Sequence, residues 1–154
     1  MLNIYVLEDH FIQQNRIEEV IHTILKKNNI KVGDFEVFDK PNQLLDFITE
    51  RGSHQLFFLD IQIKDDTKKG LEVAKQIRKS DPYANIVFFT THSEYLPLTF
   101  QYQLAALDFI DKSLECEDFQ KRLESIILLT CKKIQSQNPE DAFRIENVKT
   151  VIQV

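Results

Sequence analysis

Leu56-Phe57-Phe58-Leu59-Asp60 decides the fold: four large apolar residues run without a polar break into a carboxylate. A run this short and this apolar suits a strand buried on both faces, as in a parallel sheet, with its carboxyl end meeting solvent at Asp60. The pattern recurs on either side. Asn3–Leu7 (N-I-Y-V-L) ends in Glu8-Asp9, Ile86–Phe89 ends in Thr90-Thr91, and the shorter Leu107–Ile110 ends in Asp111-Lys112. Glu36-Val37-Phe38 is a weaker second strand.

Helical spacing fills the gaps. From Phe11 to Lys27, Ile17, Val20, Ile21, Ile24 and Leu25 recur at three and four residues and form one apolar stripe. Asp39-Lys40-Pro41 opens a helix through Leu44, Leu45, Phe47 and Ile48, which Arg51-Gly52-Ser53 ends. Lys64 to Gly70 is a polar loop, followed by a helix through Leu71, Val73, Ala74 and Ile77 that Asp81-Pro82 stops. Glu94 to Gln103 reads as a helix weakened by Pro97, and Leu114 to Ile134 as a long amphipathic one. Five strands alternating with five helices predict a doubly wound α/β fold, because parallel crossovers need helices that cover both faces of the sheet.

Composition agrees and removes several function classes. The chain of 154 residues, 43% hydrophobic and 28% charged, fits one domain and a tail. Residues 1–133 are expected to form the domain; 134–154, with Ser136, Asn138 and Pro139, read as a linker and the first strand of an incomplete output domain. No apolar run approaches the roughly 20 residues of a membrane span and no signal-peptide pattern precedes the first strand, so the expected location is cytoplasmic. A net charge of -5 with scattered lysines and arginines argues against tight nucleic-acid binding by this chain alone. Three glycines, Gly33, Gly52 and Gly70, cannot assemble a phosphate loop. Cys116 and Cys131 have neither the spacing nor the histidines of a zinc site.

Ligands of open parallel sheets bind beyond the carboxyl ends of the strands, which here present Glu8, Asp9, Asp60, Thr90 and Lys112. Three converging acids imply a hard divalent cation, and magnesium suits oxygen ligands at a partly hydrated site. With that charge offset, Asp60 at the tip of the central strand can attack a phosphoryl group. Lys112 then supplies a positive contact to the phosphoryl oxygens, and the Thr90 hydroxyl a hydrogen bond.

This ordered set resembles the signature of response-regulator receiver domains: an acid pair after the first strand, aspartate after the third, threonine after the fourth, lysine after the fifth. The resemblance covers roughly residues 1–133. The stretches F-F-L-D-I-Q (57–62), V-F-F-T-T-H-S-E (87–94) and A-A-L-D-F-I-D-K (105–112) are similar to quorum-sensing regulators of the AgrA and ComE kind, which carry a LytTR-type DNA-binding domain. The resemblance implies the flavodoxin-like receiver fold with strand order 2-1-3-4-5. It makes Asp60 the phosphoacceptor for a sensor histidine kinase, and Glu8, Asp9, Asp60 and the Gln62 carbonyl the ligands of Mg2+. Thr90 and Phe109 become a switch pair that alters the surface of the fourth helix, fifth strand and fifth helix, with a homodimer formed on phosphorylation. Gln62 and His92 tune the loss of the phosphoryl group to water. DNA is reached only through the missing output domain, and no membrane is involved. The chain assists phosphoryl transfer and slow self-dephosphorylation without being a metabolic enzyme.

Three features depart from that pattern: Glu8 in place of the commoner aspartate, Ser113 in place of the proline after the lysine, and a longer loop from Asp60 to Gly70. The main alternative is a pseudo-receiver that binds partners without being phosphorylated. A magnesium-dependent phosphatase wants a second acid two positions after the nucleophile, where this chain has Gln62. A flavodoxin-like electron carrier wants a Ser/Thr-rich loop after the first strand, and none is present.

Overall fold

In a computed structural model, which describes residues 1–137 apart from residue 92, the five strands and five helices expected of the domain are found. The strands are β1 (Leu2–Leu7), β2 (Val32–Phe38), β3 (Gln55–Leu59), β4 (Asn85–Thr90) and β5 (Asp108–Asp111). The helices are α1 (Phe11–Lys27), α2 (Pro41–Phe47), α3 (Lys69–Ser80), α4 (Leu96–Gln101) and α5 (Cys116–Gln137). All strands pair in parallel in the order β2-β1-β3-β4-β5.

Alternation along the apolar strands divides the core. Ile4, Val6, Leu56, Phe58, Val87 and Phe89 face α1 and α5, packing on Ile17, Ile21, Ile24, Phe119, Leu123 and Ile127. Tyr5, Leu7, Phe57, Leu59, Ile86 and Phe88 face the other way, onto Leu44 of α2 and Leu71, Val73, Ala74 and Ile77 of α3. Phe57, Phe58, Phe88 and Phe89 are buried to within 1%. Each contributes roughly 1.5–3 kcal/mol of transfer free energy, so the unbroken apolar runs stabilise both layers at once.

Several boundaries differ from the expected ones. β2 begins four residues before Glu36, at Val32; its Leu2↔Val32 and Ile4↔Phe35 pairs flank an irregularity at Gly33-Asp34 that masks the strand in the sequence. α4 is only six residues long and follows a single 3-10 turn at Ser93–Tyr95; Pro97 sits in its first turn, where a missing N–H costs nothing. α5 starts at Cys116, because the Asp111 carboxylate accepts the Ser113 N–H and hydroxyl and holds a turn ahead of it. Just ahead of the polar loop stand two core residues, Ile61 and Ile63, and Ile63 pairs with Asp66 through two main-chain hydrogen bonds of 3.1 and 3.0 Å. The expected strand in 142–154 lies outside the described residues. Among the described residues, no helix is long and apolar enough to cross a membrane.

Candidate functional site

Sheet hydrogen bonding carries on past the strand ends and aims their next residues at one another. The Asp60 N–H donates to the Leu7 carbonyl at 3.1 Å, the Glu8 N–H to Phe38 at 2.9 Å, and the Lys112 N–H to Thr90 at 3.1 Å. Glu8, Asp60 and Lys112 are therefore placed by main chain before any side chain is chosen.

The side chains then converge. Lys112 Nζ donates to Asp60 Oδ2 at 2.6 Å and also to Glu8 Oε1. All three residues are buried, Glu8 completely. The ammonium also lies 4.9 Å from the centre of the Phe89 ring. Asp9 is half-buried, and its Oδ2 accepts the Lys64 N–H at 2.7 Å. Carboxylate oxygens of Glu8, Asp9 and Asp60 lie within 4.8 Å of one another. A cavity of about 270 Å³ opens over them, lined also by His10, Gln13, Gln62, Lys64 and Thr91.

The electrostatics are unbalanced: three carboxylates face one ammonium. Burial pushes the Glu8 carboxyl up to about 7, against the opposing pull of Lys112. Asp60 Oδ1 is buried with no hydrogen-bond partner among the described residues. A buried carboxylate oxygen without a partner is costly, and it points to a ligand. The donor set is all oxygen, partly open to solvent and short of positive charge, which fits a divalent cation such as Mg2+. Glu8, Asp9 and Asp60 are the side chains able to hold one.

Of the other predicted residues, Gln62 lines the cavity, its amide donating to the Lys64 carbonyl at 3.2 Å. Thr90 is completely buried at the end of β4, and the hydroxyl residue lining the cavity is its neighbour Thr91. Phe109 lies away from the acid cluster, half-buried, 6.3 Å from Phe88 ring to ring. It forms one wall of a second groove with Leu96, Thr99 and Phe100. His92 lies outside the described residues.

Sequence reasoning missed the main-chain N–H of Lys64, the side chain of Gln13 and the packing of Gly70 against Asp60. A main-chain donor leaves no residue-type signal, and Gln13 looks like any polar position on α1. Gly70, one of three glycines, was the one visible hint.

The family profile of the response regulator receiver domain matches residues 4–124. Accessory gene regulator protein A of Staphylococcus epidermidis is 35% identical over 111 residues, covering 72% of this chain and 46% of its own length. The protein of the same name from Staphylococcus aureus is 33% identical over the same coverage. The chain thus spans a little under half the length of these relatives. Among solved structures, the non-phosphorylated HemR receiver domain of Leptospira biflexa superposes with a TM-score of 0.66 at 20% identity, over 82% of this chain and 94% of that one. The response regulatory domain of mrkE from Klebsiella pneumoniae gives 0.65 at 22% identity, over 85% and 99%.

Proposed function

Because the chain belongs to the response regulator receiver-domain family, we propose that Asp60 accepts a phosphoryl group from a phosphohistidine of a sensor histidine kinase in the cytoplasm. In the transfer, one Asp60 oxygen forms the new O–P bond as the N–P bond of the donor breaks. The electron pair of that bond stays on the imidazole nitrogen, which leaves neutral when its other nitrogen enters protonated. Lys112 holds the acceptor carboxylate in place and gives the incoming phosphoryl oxygens a positive contact. Glu8, Asp9, Asp60 and the Gln62 carbonyl are the ligands for Mg2+, which when bound offsets negative charge on the acceptor and on the transferred group.

The observation that carries the reading is the buried, unpartnered Asp60 Oδ1, whose sister oxygen is held by Lys112. A merely structural aspartate in this position would have both oxygens satisfied. The Thr90 hydroxyl and the Phe109 ring then form the switch, turning phosphorylation into a changed surface around α4, β5 and α5 and into homodimer formation. Gln62 and His92 tune the return to the unphosphorylated state. Residues 1–133 form the receiver and 134–154 lead to a LytTR-type DNA-binding output that responds to a quorum signal.

The test is intact-mass measurement after incubation with acetyl phosphate and Mg2+. Wild type is expected to gain one phosphoryl group and Asp60→Ala none. A wild type that stays unmodified would instead make the chain a pseudo-receiver.

A further inference from the structure

The amine of Lys112 can serve Asp60 only if the turn that carries it is held still. Every peptide bond of that turn is trans, and Ser113 follows the lysine. The restraint comes from α1. Arg16 spreads its guanidinium across the turn: Nη1 donates to the Lys112 carbonyl and Nη2 to the Leu114 carbonyl, each at 2.8 Å. The guanidinium lies 4.0 Å over the ring of Phe119, and Gln13 Oε1 stands 3.5 Å from Nη1.

We infer that Arg16 is a positioning residue for phosphoryl acceptance, fixing the main chain on both sides of Ser113 so that the Lys112 amine stays on Asp60 and Glu8. The inference rests on the reading of Asp60 as phosphoacceptor and deepens it. The Lys112 N–H is already tied to the Thr90 carbonyl, at 3.1 Å, so Arg16 fixes the other end of the same residue. Two acceptors two residues apart need a planar fork, which arginine has and lysine lacks. Arg16 stands in the second turn of α1, which starts two residues after Asp9, so the helix that follows the acid pair reaches the turn bearing the lysine that faces it. None of its contacts reaches the carboxylates, so it acts on them only through Lys112.

The experiment uses the whole 154-residue chain as wild type, Arg16→Met, Arg16→Lys and Ile126→Val, the last loosening the packing beneath α5 without touching the clamp. Phosphorylation by acetyl phosphate is followed by intact mass, Mg2+ affinity by calorimetry, and the Lys112 ammonium by 1H–15N NMR without metal. Arg16→Met should accept phosphate about tenfold to a hundredfold more slowly, the scale expected when a reacting contact is displaced by about an ångström. Its rate deficit should persist at saturating Mg2+, and its Lys112 signal should move. Arg16→Lys should recover little of the rate, and Ile126→Val should melt earlier yet keep rate and signal. A wild-type rate and an unmoved Lys112 signal in Arg16→Met would overturn the inference, as would an equal loss in Ile126→Val. If wild type itself takes no phosphoryl group, the phosphoacceptor reading falls, and the Lys112 signal still decides whether Arg16 positions the amine.

Discussion

Gly70 packs directly on the main chain of Asp60: a Cβ built on the glycine would stand 1.7 Å from the Asp60 carbonyl oxygen and 2.7 Å from the Ile61 Cα. The Gly70 N–H also donates to the Ile61 carbonyl at 2.7 Å, so the start of α3 is docked on the end of β3. Backbone cannot swing aside as a side chain can. Gly70→Ala should therefore destabilise the protein by about 1–3 kcal/mol, the usual cost of overpacking. It should also slow phosphoryl acceptance at the displaced Asp60. Urea midpoints check the first effect and intact mass the second; an unchanged midpoint would show that α3 moves away freely.

Asp9 is half-buried and, among the described residues, held by one main-chain N–H, so its removal separates metal binding from folding. Mg2+ should raise the melting temperature of wild type, since binding to the native state at a hundred times Kd adds about 2.7 kcal/mol. Asp9→Ala should melt close to wild type without metal and lose most of the increment at the same Mg2+ concentration. Equal increments in both proteins would remove Asp9 from the ligand set.

Glu8 makes stability depend on pH in the direction opposite to an ordinary ion-paired carboxylate. Its folded value, near 7, lies above the unfolded value of 4.5, so the native state holds the proton more tightly. The stability this contributes is complete below about pH 4.5 and is lost as pH rises through about 7. Metal-free wild type should thus weaken over that window, and Glu8→Gln should flatten the trend. The Mg2+ increment should grow over the same window, because the ion takes the deprotonated carboxylate. Melts at pH 5.5 and 8, with and without Mg2+, measure both effects.

Lys112→Met leaves two buried carboxylates without the cation between them. Breaking a buried ion pair from one side typically costs about 3–5 kcal/mol, and that range is expected for the metal-free protein at pH 8. The loss should shrink at pH 5.5: without Lys112, which pulls the Glu8 value down, Glu8 takes up a proton more readily. A pH-independent loss, measured by urea unfolding, would show that the lysine acts through packing on Phe89 rather than through charge.

The groove walled by Phe109 also exposes Phe100, at 76%, beside Leu96. Phe100→Ser should leave stability within about 0.5 kcal/mol, as surface changes do. If phosphorylation remodels this face for association, the substitution should abolish the beryllofluoride-dependent shift in size-exclusion chromatography. A shift that survives would put the association surface elsewhere.

The strand ends were legible because a carboxylate, hydroxyl or ammonium stands abruptly after each of four apolar runs. Their order along the chain marked Glu8, Asp9, Asp60 and Lys112 as one group before any coordinates. β2 was half hidden, since Gly33-Asp34 interrupts it at an edge where only one neighbour, β1, supplies hydrogen bonds. The burial of Ile61 and Ile63 was missed because two isolated isoleucines among polar residues carry no period.

The sequence alone determined the layers, the parallel sheet and the chemical kinds of side chain at its carboxyl edge, because hydrophobic period and run length act locally and leave their mark residue by residue. Only the tertiary structure decided that Asp60 keeps one oxygen unpartnered, that Gly70 must lack a side chain, and that Arg16 grips the turn bearing Lys112. Those depend on distances between segments dozens of residues apart, and main-chain donors and acceptors, alike at almost every position, leave no trace in residue type.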